Sequence, residues 1–152
     1  MRIPPSLILA LAVACSAASG PSLAVDSSSA PSGSVDLTSV RQKIKAKNWQ
    51  AAIEELKPII ARVDNADAYN LYAFSQRNMG DYKSAFTYYG KALDFEPNHK
   101  GAREYLGELY VMTGSMAKAR EQLAVLEKLC PSGCEELDDL RQAVAAGAPK
   151  TN

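Results

Sequence analysis

Cys130 and Cys134 are the residues of this 152-residue chain whose type and spacing speak most directly of chemistry. They bracket a short CPSGC turn, and three outcomes are open to such a pair. In an oxidising compartment, two remaining cysteines close a structural disulfide. The closed loop is short, so its effect on the unfolded chain is about 2 kcal/mol. A redox-active pair needs a depressed thiol pKa, which the helix start after Cys134 favours and the carboxylates of Glu135, Glu136, Asp138 and Asp139 oppose. A soft metal such as copper would take both thiolates, with a third ligand from His99, Met112 or Met116.

The other reactive types are sparse. His99 is the single histidine, and between Asn98 and Lys100 it reads as an exposed loop residue. No nucleophile is marked out beside it, so no Ser-His-Asp or Cys-His arrangement is complete. No Gly-rich phosphate loop is present. The expectation is a protein that is not an enzyme, with no cofactor and no resident metal. Seventeen Lys and Arg balance seventeen Asp and Glu, which leaves no basic excess for nucleic-acid binding. An apolar fraction of 47 % is too low for a polytopic membrane protein.

What must position these residues begins after the N-terminus. Met1-Arg2 followed by the apolar run Leu7–Ala14 has the form of a secretory signal, too short to span a bilayer as a mature helix. Cleavage after Ala24 is expected from Ser22-Leu23-Ala24. Ala18 is the second candidate. Cys15 raises lipid attachment, but Leu11 stands one place too far upstream of it for the usual acylation pattern. Residues 1–24 are thus read as signal peptide. Residues 25–36, with the Ser-rich stretch DSSSAPSGS, are read as a disordered linker with too little apolar surface to order. The mature chain is expected to be periplasmic or secreted, with no stable membrane insertion.

From residue 37 a period governs the chain. Gly80 and Gly114, Ala85 and Ala119, and Pro97 and Pro131 are each 34 apart. Each unit reads as two helices joined at Gly80-Asp81 or Gly114-Ser115, where a helix ends on glycine and the next is capped by Asp or Ser. Small residues (Ala73 and Gly107, Ala85 and Ala119) mark close helix crossings. Tyr69, Tyr72, Tyr89, Leu106, Tyr110 and Leu126 fill the space between. Pro97 and Pro131 end the second helices. Trp49, Ala52, Leu56 and Ile59 repeat the second-helix pattern upstream with an offset of 33, and Pro58 should kink that helix. Glu135 to Ala146 carries Leu137, Leu140 and Val144 at helical spacing and reads as a terminal capping helix.

A 34-residue period with Gly, Ala and Pro at these offsets resembles the tetratricopeptide repeat. The fold expected is therefore all-α: a short solenoid of antiparallel helix pairs with a C-terminal capping helix. Residues 37–146 would form it, as a degenerate repeat (37–65), two central repeats (66–99 and 100–133) and the cap (134–146), with a disordered tail over 147–152.

The resemblance implies a concave groove lined by the first helices, which takes a peptide or protein partner. It places Asn70, Phe74, Arg77 and Asn78 there from one central repeat, Glu104, Tyr105, Glu108 and Met112 from the next, and Arg41 and Lys45 from the upstream unit. Some members of the family hold a C-terminal carboxylate with a clamp of Lys, Asn and Arg. The clamp places fall here on Asn70, Phe74 and Tyr105, none of the type expected at its place, which argues against that mode. Charge is also uneven. Residues 37–63 hold six basic and two acidic residues, and residues 121–141 hold six acidic and two basic, a polarity that would orient a partner or favour head-to-tail self-association. The functional expectation is a non-enzymatic binding module or assembly scaffold of the cell envelope. The alternative is a thiol-redox or copper accessory protein built on Cys130 and Cys134.

Overall fold

A computed structural model describes residues 35–147. The expected signal peptide, Cys15, most of the linker and residues 148–152 lie outside the described residues. Among the described residues there are seven helices and no strand: α1 (Thr38–Lys45), α2 (Trp49–Ile60), α3 (Ala66–Asn78), α4 (Tyr82–Phe95), α5 (Lys100–Met112), α6 (Met116–Leu129) and α7 (Glu135–Ala146). They form three antiparallel hairpins, α1–α2, α3–α4 and α5–α6, with α7 packed on α5 and α6. None is long and apolar enough to cross a membrane.

The hairpin turns share one construction. Gly80 (φ 84°) and Gly114 (φ 76°) adopt the left-handed conformation that glycine accepts without steric cost. In each turn the N–H of the following residue, Asp81 or Ser115, reaches back to the carbonyl of Gln76 or Tyr110 at 2.9 and 2.8 Å. This six-to-one bond satisfies an orphan carbonyl at the helix end. The degenerate hairpin makes the same turn without glycine. Lys47 takes φ 57°, and Asn48 N–H bonds the Lys43 carbonyl at 2.9 Å. A non-glycine residue there costs about 1–2 kcal/mol.

Helix starts follow side-chain chemistry. Asn48, Asn65 and Asp81 each accept a hydrogen bond from the backbone N–H three residues on, at Ala51, Ala68 and Ser84. Ser115 makes no such bond, so of the two caps expected at the central turns only Asp81 acts as one. At the beginning of the fold Val35 packs on the first core cluster, and Asp36 Oδ1 accepts from Thr38 N–H at 2.9 Å. The ordered domain therefore takes in the last two residues assigned to the linker. Pro58 lies in the last turn of α2, and the helix continues through it to Ile60.

The core runs along the stack in successive layers. Val40, Ala52, Ile53, Leu56, Leu71 and Tyr72 join α1, α2 and α3. Ala73, Ala85, Tyr89, Leu106 and Leu109 join α3, α4 and α5. Leu126, Cys130, Leu137 and Leu140 join α6 to α7. Each fully buried large side chain stabilises by about 1.5–3 kcal/mol relative to exposure. Gly107 does not serve the crossing within its own hairpin alone. A Cβ on it would stand 2.5 Å from Leu140 Cδ2, so the missing side chain is what lets α7 approach α5.

Candidate functional site

The first helices and α7 together enclose a cleft of about 290 Å³. Its lining repeats with the period of the fold. Asp67, Gly101 and Glu135 are 34 apart, as are Leu71, Tyr105 and Asp139, and all six line the cleft, with Arg41, Asn70, His99, Glu104 and Glu136 between them. In position α7 is thus a further first helix, and its carboxylates become part of the concave face.

Arg41, Asn70, Glu104 and Tyr105, four of the ten residues expected in the groove, line this cleft. Glu108 lines a shallower depression of about 220 Å³ against α7, with Asp139, Gln142, Ala143 and Ala146. Phe74 and Arg77 are committed to packing. The Arg77 guanidinium lies 5.0 Å from the Phe74 ring centroid and 5.3 Å from that of Tyr105, and Nη1 donates to Glu108 Oε2 at 2.6 Å. Phe74 and Tyr105 are themselves 4.7 Å apart, and Trp49 meets Phe74 edge-on at 5.8 Å. With only 11 % of the Arg77 side chain exposed, this cation and aromatic cluster ties α3 to α5 beside the cleft. Lys45, Asn78 and Met112 are exposed at the C-terminal ends of α1, α3 and α5, and Asn78 Nδ2 donates to its own helix at the Phe74 carbonyl.

His99 departs from the exposed loop residue expected from sequence. Its Nδ1 accepts from Ala102 N–H at 3.1 Å, so it caps α5. The proton is then on Nε2, which stands 3.0 Å from Asp67 Oδ1. Its position is 34 residues after the Asn65 cap of α3, and the period alone could have assigned the role. Asp67 also receives Arg41 at 3.1 Å, so the two basic side chains of the cleft both serve one carboxylate.

The remaining acids have no such partner. Among the described residues, Glu104, Glu135, Glu136 and Asp139 form no ion pair. Glu104 is buried, and burial first, then the charges of Glu108, Asp139 and Glu136, pushes its carboxyl up to about 8. Tyr105 beside it is also raised, by burial and by Glu104. Asn70 is buried with its Oδ1 unpartnered, and the buried Tyr89 hydroxyl likewise has no partner. By contrast, both acids at the basic end of the chain are paired: Lys43 with Glu55 and Lys57 with Glu54.

Two roomier depressions on other faces carry less unspent polarity. In one, of about 340 Å³, the Tyr69 hydroxyl donates to Asp64 and Lys91 lies over the Tyr69 ring. In the other, of about 490 Å³, Tyr110 is stacked on Phe86 and capped by Lys118.

The Cys130 and Cys134 sulfurs stand at bonding distance across a Cα separation of 5.8 Å, where α6 ends and α7 begins. His99 is engaged at both ring nitrogens. Among the described residues no group of three His, Cys, Asp or Glu side chains is disposed to hold a metal.

A family model for the tetratricopeptide repeat matches residues 77–144, from the end of α3 through most of α7. Over those residues the chain is similar to the tetratricopeptide repeat. Solved tetratricopeptide structures superpose on it. The TPR2B domain of yeast Sti1, in complex with pHsp70, aligns with a TM-score of 0.63 and 18 % identity over 70 % of this chain and 90 % of that one. The first TPR of Spaghetti (RPAP3), bound to the HSP90 peptide SRMEEVD, gives 0.61 and 16 % over 71 % and 86 %. PcrH in complex with the chaperone binding region of PopD gives 0.61 and 14 % over 70 % and 81 %. At these identities the likeness is one of fold. No curated protein sequence matches the chain.

Proposed function

We propose that the protein is a non-enzymatic binding module that holds a polypeptide segment in the concave cleft between α1, α3, α5 and α7, and that it works in the cell envelope after export. The observation that carries the proposal is the cleft itself, a concave site repeated with the period of the fold and lined by buried polar groups with no partner in the chain. An unsatisfied buried acceptor costs about 1–3 kcal/mol, a cost that an incoming donor relieves. The tetratricopeptide neighbours, held with pHsp70, an HSP90 peptide and a region of PopD, support a polypeptide as the kind of ligand. The Leu7–Ala14 run and the charged start supply the argument for export.

Within this proposal the Cys130–Cys134 pair is a structural disulfide that fixes the start of α7, the helix that completes the cleft. Of the third ligands a copper site could take, His99 is spent on capping α5 and on Asp67.

The test is selection of peptides from a displayed random library on the whole chain, followed by mapping of a selected peptide by amide chemical shifts. Perturbations on α1, α3, α5 and α7 are expected. Perturbations confined to α4 and α6, or a selection that enriches nothing, would overturn the assignment.

A further inference from the structure

The cleft is rich in acceptors and carboxyl groups. Asn70 presents a buried Oδ1 without a partner, at 5 % residue exposure, and Glu104 a carboxyl group that forms no ion pair, at 6 %. Glu135, Glu136 and Asp139 stand around them on α7, unpaired. Arg41 and His99, the basic groups present, are both turned to Asp67. The volume is at the small end of ligand pockets and suits one or two side chains rather than a bulky ligand.

We propose that this cleft is a receptor for a lysine or arginine side chain of a partner polypeptide, with Asn70 and Glu104 accepting its N–H groups and Glu135, Glu136 and Asp139 attracting it. This deepens the binding function proposed above and rests on it. It reverses the charge logic of the neighbour that holds SRMEEVD, whose bound peptide ends in acids. A cationic donor satisfies Asn70 Oδ1, which relieves a penalty present in the free protein, and serves as counter-ion to Glu104 once that carboxyl ionises. Attraction by exposed carboxylates at the rim speeds encounter and makes it sensitive to salt.

The ionisation of Glu104 adds a signature. Its raised carboxyl is protonated below about 8 in the free protein, and a bound cation draws off that proton. Binding therefore strengthens as pH rises from 6 to 9. The groups facing Glu104 are Arg77 from α3, Glu108 and Tyr105 on α5, and Glu136 and Asp139 from α7. Among these carboxylates none opposes a cation.

The test is a solution NMR titration of the whole chain with N-acetyl-lysine N-methylamide, with the norleucine analogue as an uncharged control of similar shape. The lysine probe is expected to shift the Asn70 side-chain amide and the backbone of α5 and α7, and norleucine is not. Glu104→Gln keeps the shape of the site, and its effect should be about tenfold weaker binding with loss of the pH dependence. A Glu135→Gln, Glu136→Gln double variant on the exposed face should weaken binding and flatten its salt dependence. Equal shifts from norleucine, or undiminished lysine binding in Glu104→Gln, would overturn the proposal. So would concentration-dependent self-association in sedimentation that the double variant abolishes, since the occupant would then be a second copy. If lysine fails while library-selected peptides still map to α3, α5 and α7, only the cation receptor falls. If those peptides map elsewhere, the cleft assignment falls with it.

Discussion

Leu140 of α7 occupies the space that a side chain on Gly107 of α5 would fill. Leu140 is fully buried, so this contact sets how closely the last helix docks, and with it where Glu135, Glu136 and Asp139 stand relative to Glu104. Leu140→Ala should cost about 2–5 kcal/mol in urea unfolding. Gly107→Ala gains up to about 1 kcal/mol in helix propensity, yet should still destabilise by about 1–3 kcal/mol through overpacking against Leu140. The double variant should lose less than the sum of the two. Strict additivity in this cycle would show that the residues do not share the space.

The three hairpin turns give a prediction of opposite signs. Lys47 holds a left-handed conformation that Gly80 and Gly114 hold without penalty. Lys47→Gly should stabilise by about 1 kcal/mol, once relief of strain is set against the extra freedom of glycine in the unfolded chain. Gly80→Ala and Gly114→Ala should each destabilise by about 1 kcal/mol. Nothing stands within 4 Å of a Cβ at either glycine, so the loss would come from the backbone alone. Thermal unfolding of the three variants checks the ordering.

Glu104 links pH to stability. Its folded carboxyl is raised to about 8 from an ordinary value of 4.5, so between those values the folded state binds more protons than the unfolded one. Stability contributed by the protonated form is full below pH 4.5 and is lost as pH rises toward 8. The Tm of Glu104→Gln should therefore fall less than that of the parent over this interval and exceed it at pH 9. A parent and variant with parallel pH profiles would place the Glu104 carboxyl in water.

If Cys130 and Cys134 close a disulfide, reduction should act locally. Hydrogen exchange should quicken across α7 and the end of α6, with little change in α1 to α4. Uniform acceleration along the chain would contradict a role confined to the last helix.

Much of this fold was legible because the 34-residue spacing of Gly, Ala and Pro forces the same turn and the same crossing to recur. Gly80 and Gly114 marked their turns for that reason. The turn at Lys47 obeys identical geometry with the wrong residue type, so only the Trp49, Ala52 and Leu56 pattern pointed to its hairpin. The site was less legible. Arg77 and Phe74 have the types and positions of groove residues, but their packing against each other, Tyr105 and Glu108 depends on the distance between α3 and α5, which local sequence does not carry. Glu135, Glu136 and Asp139 read as the charged start of a cap, yet the offsets of Glu135 from Gly101 and of Asp139 from Tyr105 place two of them on the concave face. His99 was legible only through its offset from Asn65.

The most direct test of the binding account is the affinity of a library-selected peptide for the parent chain and for the Glu135→Lys, Glu136→Lys, Asp139→Lys triple variant, measured by fluorescence anisotropy at low and physiological salt. These side chains line the cleft and none is a buried core residue. The account predicts a selected peptide rich in Lys or Arg, bound at least about tenfold more weakly by the variant, with the gap narrowing as salt rises. An acidic or uncharged peptide held equally well by both proteins would contradict it.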